Sequence, residues 1–114
     1  ISLQDSVEFV IKCIQESKGG EIFVPKIPSV HIAELAAIMA PDRKTKVIGI
    51  RAGEKLHELM IGVDDARHTI DLGDYYAILP PRSQEFPEMI HKILEGKNPQ
   101  YLKDGFAYTS DTNT

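Results

Sequence analysis

Arg51 and Glu54 are the two residues whose types and spacing point most directly to chemistry. They follow residues 46–50, a β-branched run that predicts a buried strand. Gly53 predicts a tight turn, and residues 54–60 then predict a short amphipathic helix. A guanidinium at such a turn can donate two hydrogen bonds to a diphosphate, helped by the positive end of the helix. A carboxylate one turn away can accept from two vicinal hydroxyls. The same spacing also fits a solvated ion pair at a helix start.

The other polar clusters predict structure more than a second site. His57-Glu58 lacks the second histidine that a zinc-binding His-Glu-x-x-His sequence needs, so we expect no metal ligands. Asp64 and Asp65 could form a carboxylate pair for acid–base work. Beside Arg67, however, they fit the cap and first turn of a short helix better.

Composition sets limits on the class of protein. The 114 residues are 42% hydrophobic with a net charge of −4, which predicts one modest core and argues against nucleic acid as a partner. Cys13 fits the apolar side of a helix, so we expect a small core residue in a reducing, cytoplasmic setting. No apolar run approaches the ~20 residues that span a bilayer, and we expect no membrane span.

The pattern of the first half predicts an α/β arrangement, in which helices pack against neighbouring strands. Ser2 predicts the N-cap of a helix that ends at Gly19-Gly20, and Ser29 the N-cap of a second helix that ends at Pro41. Strands are predicted over residues 22–24 and 46–50. The predicted buried stripe of the first helix consists of Val7, Val10, Ile11 and Ile14. That of the second helix consists of Ile32, Leu35, Ala36 and Met39.

The second half is less regular. Residues 69–72 and 76–79 predict a hairpin around Gly73-Asp74, and an apolar stripe predicts a helix over residues 86–94. We expect residues 97–114 to form a loosely ordered tail that depends on docking against the rest of the protein.

Several stretches resemble one known family, in the order in which they occur. They are residues 19–29 (GGEIFVPKIPS), 48–58 (IGIRAGEKLHE), 64–67 (DDAR), 74–80 (DYYAILP) and 105–113 (GFAYTSDTN). Over nearly the whole chain they resemble the C-terminal part of the UDP-N-acetylglucosamine 4,6-dehydratases. These are extended short-chain dehydrogenase/reductase enzymes of the polysaccharide biosynthesis protein family, and the resemblance is greatest to the inverting type of the pseudaminic acid pathway.

The resemblance implies that residues 1–114 are a single C-terminal, substrate-binding portion without the N-terminal Rossmann half. The sequence contains neither a glycine-rich dinucleotide-binding turn nor a tyrosine followed four residues later by lysine. NADP and the catalytic groups would then belong to the full-length enzyme, and this chain alone would be inactive. The start at Ile1, without methionine, also suggests an excised portion.

By resemblance, Arg51 binds the diphosphate and Glu54 the hydroxyls of a UDP-sugar. No catalytic, cofactor-binding or metal-binding residue is assigned in this chain. Ala52 replaces the proline often found after this arginine in the family. We expect a homo-oligomer. Two alternatives stay open: the same portion of a UDP-sugar 4-epimerase or epimerase/dehydratase, and a non-catalytic binding or assembly module.

Overall fold

The computed structural model describes residues 1–80, 95 and 100–113 of the chain. The elements along these residues are α1 (Leu3–Glu16), β1 (Ile22–Pro25), α2 (Ile32–Met39), β2 (Leu59–Ile61), α3 (Val63–Ala66), β3 (Thr69–Asp71), β4 (Tyr75–Ile78), β5 (Gln100–Tyr101) and β6 (Tyr108–Thr109). The predicted α/β class is thus confirmed in its coarse form. The helix predicted over 86–94 lies outside the described residues.

Antiparallel pairing organises the strands into two small sheets. The larger has the order β1-β4-β3-β5, and the smaller pairs β2 with β6. The predicted hairpin is confirmed: β3 and β4 pair, and the Leu72 amide donates to the Tyr75 carbonyl at 3.0 Å. Gly73 in this turn takes a φ of +94°, which favours glycine because a side chain there would be strained.

The core lies on both faces of the hairpin. Ile70 and Ala77 are partners across β3 and β4, so they share one face, where Leu79 joins them. Tyr76 points to the other face and packs with a cluster that includes Tyr108, near the end of the chain. The burial of Tyr108, only 5% exposed, shows that the C-terminal segment is part of the core.

The first helix begins as predicted but packs with its other side. Ser2 and Asp5 form a reciprocal capping box, which satisfies amides that have no partner within the helix. The helix contacts the sheet around Tyr75 through Phe9, whose ring lies 5.8 Å from the Tyr75 ring, and through Lys12. At 100° per residue these positions lie opposite the predicted stripe. The predicted burial of that stripe is therefore wrong, and its members are exposed: Val7, Val10, Ile11 and Ile14.

The second helix also differs from the prediction at its start. Its N-cap is His31, without a side-chain cap, and not Ser29 as predicted, because the helix begins only at Ile32, while the Ser29 amide donates to the Asn113 carbonyl at 3.3 Å. Ile32 and Met39 are both more than 70% exposed, so the burial predicted for this helix is wrong as well. No described element covers the apolar side chains at the two ends of α2.

The strand predicted over residues 46–50 and the helix predicted over 54–60 are wrong. Residues 46–50 form no ladder with any described residue, and Val47 is 95% exposed. Residues 59–61 form β2 because β6 supplies a partner at this position, and distant pairing overrides the local helical pattern. α3, by contrast, carries Asp64 and Asp65 in its first turn, as the structural interpretation predicted.

Candidate functional site

Arg51 and Glu54 stand at the two ends of a tight turn. The Glu54 amide donates to the Arg51 carbonyl at 3.1 Å, and Gly53 takes a φ of +84°, which is the conformation that the third position of a type II turn requires. The Glu54 carboxylate accepts from the Arg51 amide at 2.8 Å and lies 3.8 Å from Arg51 Nε. The structure therefore brings the predicted pair together, but in a loop and not at a strand-to-helix junction.

The pair is open to ligands. The Arg51 side chain is 74% exposed and that of Glu54 48% exposed, so their mutual attraction contributes little to stability. Within the described residues, the two terminal nitrogens of Arg51 have no hydrogen-bond partner, and a guanidinium edge can hold two anionic oxygens at once. Because no helix begins here, the predicted help from a helix dipole is absent.

A cleft of about 520 Å³ begins one residue after Glu54. Residues 29–32, at the start of α2, form one wall, residues 55–58 form another, and residues 110–111 complete the lining. This volume is in the range of small-molecule sites. The polar side chains that line the cleft are those of Ser29, His31, Lys55, His57, Glu58, Ser110 and Asp111.

The charges in the cleft are mixed. A hydrogen bond from the Thr109 hydroxyl, with a smaller contribution from nearby His57, lowers the pKa of Asp111 below its ordinary value. Asp111 is therefore a carboxylate at neutral pH, and Lys55 brings an ammonium to the same cleft. Such a lining can hold a ligand that presents both an anionic group and hydroxyls.

The tail contributes the part of the site that sequence reasoning missed. Lys55 and His57 belong to the segment that contains Arg51, whereas Ser110 lies 52 residues from its hydrogen-bond partner Glu58. No local pattern predicts such a contact. The available signal was the resemblance of residues 105–113 to the family.

Neither a metal site nor a membrane-spanning helix is found along residues 1–80, 95 and 100–113. In that part of the chain no three His, Cys, Asp or Glu side chains converge as metal ligands. None of α1, α2 and α3 has the length and apolar character needed to cross a bilayer.

The chain matches one known protein family. Residues 1–80 match the family described as polysaccharide biosynthesis protein. The chain belongs to this family. The match includes the Arg51 turn and two walls of the cleft, but it ends before the tail.

The chain is also similar to individual named proteins. The chain is 49% identical to a UDP-N-acetylglucosamine 4,6-dehydratase (inverting) from Campylobacter jejuni, across 99% of this chain and 34% of the relative. It is also 40% identical to a UDP-glucose 4-epimerase from Rickettsia canadensis, across 94% of this chain and 32% of that relative. The resemblance found in the sequence is confirmed. The chain spans about a third of the length of these relatives.

A solved structure agrees with the fold. Pen from Bacillus thuringiensis superimposes on the whole of this chain with a TM-score of 0.77 and 25% sequence identity, using 33% of its own length. In each of these comparisons the chain matches about a third of a longer protein.

Proposed function

We propose that the chain is the nucleotide-sugar-binding part of a UDP-N-acetylglucosamine 4,6-dehydratase in bacterial surface polysaccharide or flagellin glycan biosynthesis. The observation that carries this proposal is the 49% identity to an inverting dehydratase over 99% of the chain. In this proposal residues 1–114 are one substrate-binding portion, and the Rossmann half lies elsewhere in the full-length enzyme.

Arg51 and Glu54 receive separate roles. Arg51 binds the diphosphate of the UDP-sugar with its terminal nitrogens, and Glu54 accepts hydrogen bonds from hydroxyls of the bound nucleotide. The hydrogen bond from the Arg51 amide to Glu54 Oε2 fixes the carboxylate beside the arginine, which supports this division. The neighbouring cleft, with hydroxyls, imidazoles and both signs of charge, receives further polar groups of the same ligand.

This chain binds and does not perform the chemical steps. In the full-length enzyme, bound NADP would accept a hydride from the sugar and return it, so that the dehydration is redox-neutral overall. The residues of this chain do not fit NADP, because the sequence has no glycine-rich dinucleotide turn. The chain alone is expected to be inactive.

A related 4-epimerase is the second candidate. The 40% identity to a UDP-glucose 4-epimerase over 94% of the chain favours it. Both candidates use the same diphosphate-binding pair. Product analysis of the full-length enzyme separates them, because the product of a dehydratase is a UDP-4-keto-6-deoxy sugar, lighter than the substrate by one water, whereas the product of an epimerase is a UDP-sugar of the same mass as its substrate.

The pair itself is tested by Arg51→Lys in the full-length enzyme, with calorimetric titration of UDP and of NADP. A lysine ammonium cannot make two parallel hydrogen bonds, so UDP affinity should fall by roughly 1.5–3 kcal/mol, the scale of a hydrogen bond to a charged group. Glu54→Gln should lower UDP affinity less than Arg51→Lys does, because the glutamine side chain keeps one acceptor oxygen of the carboxylate. NADP affinity should not change.

Arg43→Lys is the matched control, since Arg43 is an exposed arginine outside the turn and the cleft. It should leave both affinities unchanged. If Arg51→Lys also leaves UDP affinity unchanged, or lowers NADP affinity equally, then Arg51 only stabilises the turn and the binding role is wrong.

A further inference from the structure

The C-terminal segment 108–113 joins two walls of the cleft. Tyr108 and Asn113 bond to Ile27, in the chain that leads into the wall at residues 29–32, and Ser110 bonds to the wall at residues 55–58. Among the described residues we find no other segment with hydrogen bonds to both sides.

The first attachment centres on the Tyr108 hydroxyl. The Ile27 amide donates to this hydroxyl at 2.9 Å, and the hydroxyl donates to the Ile27 carbonyl at 3.1 Å. The Asn113 side-chain amide donates to the hydroxyl at 2.9 Å and also to the Ile27 carbonyl. One hydroxyl thus fixes the backbone of Ile27, two residues before Ser29, where the cleft wall begins.

The second attachment is a backbone ladder. β6 pairs with β2, and residues 58 and 110 exchange two hydrogen bonds of 2.9 Å each, one through the Ser110 hydroxyl and one through the Ser110 amide. Residues 55–57 lie between this ladder and the Arg51 turn. In the described part of the chain, the ladder is the regular structure nearest to that turn on its C-terminal side.

The Tyr108 ring holds the segment in place between the two attachments. It is 5% exposed and packs edge-on against Tyr76, with 5.4 Å between ring centroids. A buried aromatic ring whose hydroxyl is fully bonded has little freedom to move, because leaving its position would expose the ring and break three hydrogen bonds. These contacts attach the segment to both walls of the cleft.

We propose that Tyr108 and Asn113 are positioning residues of the nucleotide-sugar site, setting the distance between the wall at 29–32 and the wall at 55–58. This inference rests on the proposed function, because it assumes that the UDP-sugar occupies the cleft. Neither residue needs to touch the ligand. Their effect passes through the backbone of Ile27 on one side and through β2 on the other.

The test is Tyr108→Phe in the full-length enzyme, which removes the hydroxyl and keeps the ring. UDP-sugar affinity, measured by calorimetry well below the unfolding temperature, should fall about three- to tenfold, the scale of one net hydrogen bond. NADP affinity should be unchanged. Amide hydrogen exchange should accelerate at residues 29–32 and 55–58, and remain unchanged in the β3–β4 hairpin.

Two further variants keep the test decisive. Asn113→Ala removes two of the hydrogen bonds without touching the core and should show the same selective loss. Tyr101→Phe is the matched control, because Tyr101 is exposed on β5 and contributes nothing to the cleft lining. It should leave affinity and exchange unchanged.

The outcomes separate the two proposals. If the wild-type enzyme binds no UDP-sugar, the proposed function is wrong. If the wild type binds and Tyr108→Phe binds equally well, or loses NADP affinity in parallel, then Tyr108 is only a structural residue and the positioning role is wrong.

Discussion

Lys26 and Asp71 form a partly buried ion pair that connects β1 to the β3–β4 hairpin. Lys26 Nζ lies 2.7 Å and 2.8 Å from the two carboxylate oxygens of Asp71, and it also stands 4.5 Å from the centre of the Tyr76 ring. The Gly73 amide donates to the same carboxylate at 2.8 Å. One aspartate thus fixes both a turn and a contact between strands.

This pair predicts a pH dependence of stability. Burial alone would raise the pKa of Asp71, but the hydrogen bonds from Lys26 and Gly73 outweigh it and lower the pKa below 3.8. A lowered pKa means that the stabilisation is fully present above pH 3.8 and is lost as pH falls through the folded-state pKa. Urea unfolding of wild type and Asp71→Asn should differ at neutral pH and converge in acid.

The control for that comparison is Asp74→Asn, which changes an exposed aspartate of the same turn. The free energy of unfolding of Asp74→Asn should stay close to that of the wild type at every pH. A stability difference between wild type and Asp71→Asn that is constant with pH would show that the ion pair does not stabilise the fold.

At this scale the sequence predicts pairs that are close along the chain. Arg51 and Glu54 are three residues apart, and a turn is enough to bring them together. Lys26 and Asp71 are 45 residues apart, and Ile27 and Tyr108 are 81 apart. Only the tertiary fold brings such residues into contact, and residue types along the chain do not specify it.

The hairpin is the structural centre of the described elements. Ile70 on β3 is fully buried, whereas Ile48, in the run that the sequence predicts as a buried strand, is 71% exposed. The run has the β-branched composition of a strand, but strands need hydrogen-bonding partners, and the described residues offer none to it. The sequence therefore predicts β1 and the hairpin correctly, but it fails for residues 46–50, which have no partner strand among the described residues.

This difference predicts unequal effects of the same substitution. Ile70→Val should lower the free energy of unfolding of the 114-residue chain by about 0.5–1.5 kcal/mol, because it removes a buried methyl group. Ile48→Val should change it little. Urea unfolding followed by circular dichroism measures both. Equal losses would mean that residues 46–50 are buried after all.

The described residues expose many large apolar side chains. Much of this apolar surface lies on α1, on α2 and along residues 47–50. Apolar patches of this extent are usually covered by another protein surface.

We therefore expect the isolated chain to associate with itself at micromolar concentrations. Sedimentation velocity should show a dimer or a larger assembly. Ile14→Glu, on the exposed apolar side of α1, should shift the distribution towards monomer, because the carboxylate would be buried in the contact. Gln15→Glu adds the same charge at an exposed polar position of the same helix and should not. A monomeric wild type would contradict the expectation.

The link between Tyr108 and Ile27 also determines when the cleft can form. Tyr108, whose hydroxyl bonds to Ile27, is synthesised 81 residues after Ile27. Closing so long a loop costs chain entropy, and this cost is offset only when the contacts between its two ends have formed. The β3–β4 hairpin can fold before residues 108–113 have been synthesised, but two walls of the cleft reach their final spacing only after these residues are present. Within residues 1–113 the cleft is therefore completed later than the hairpin.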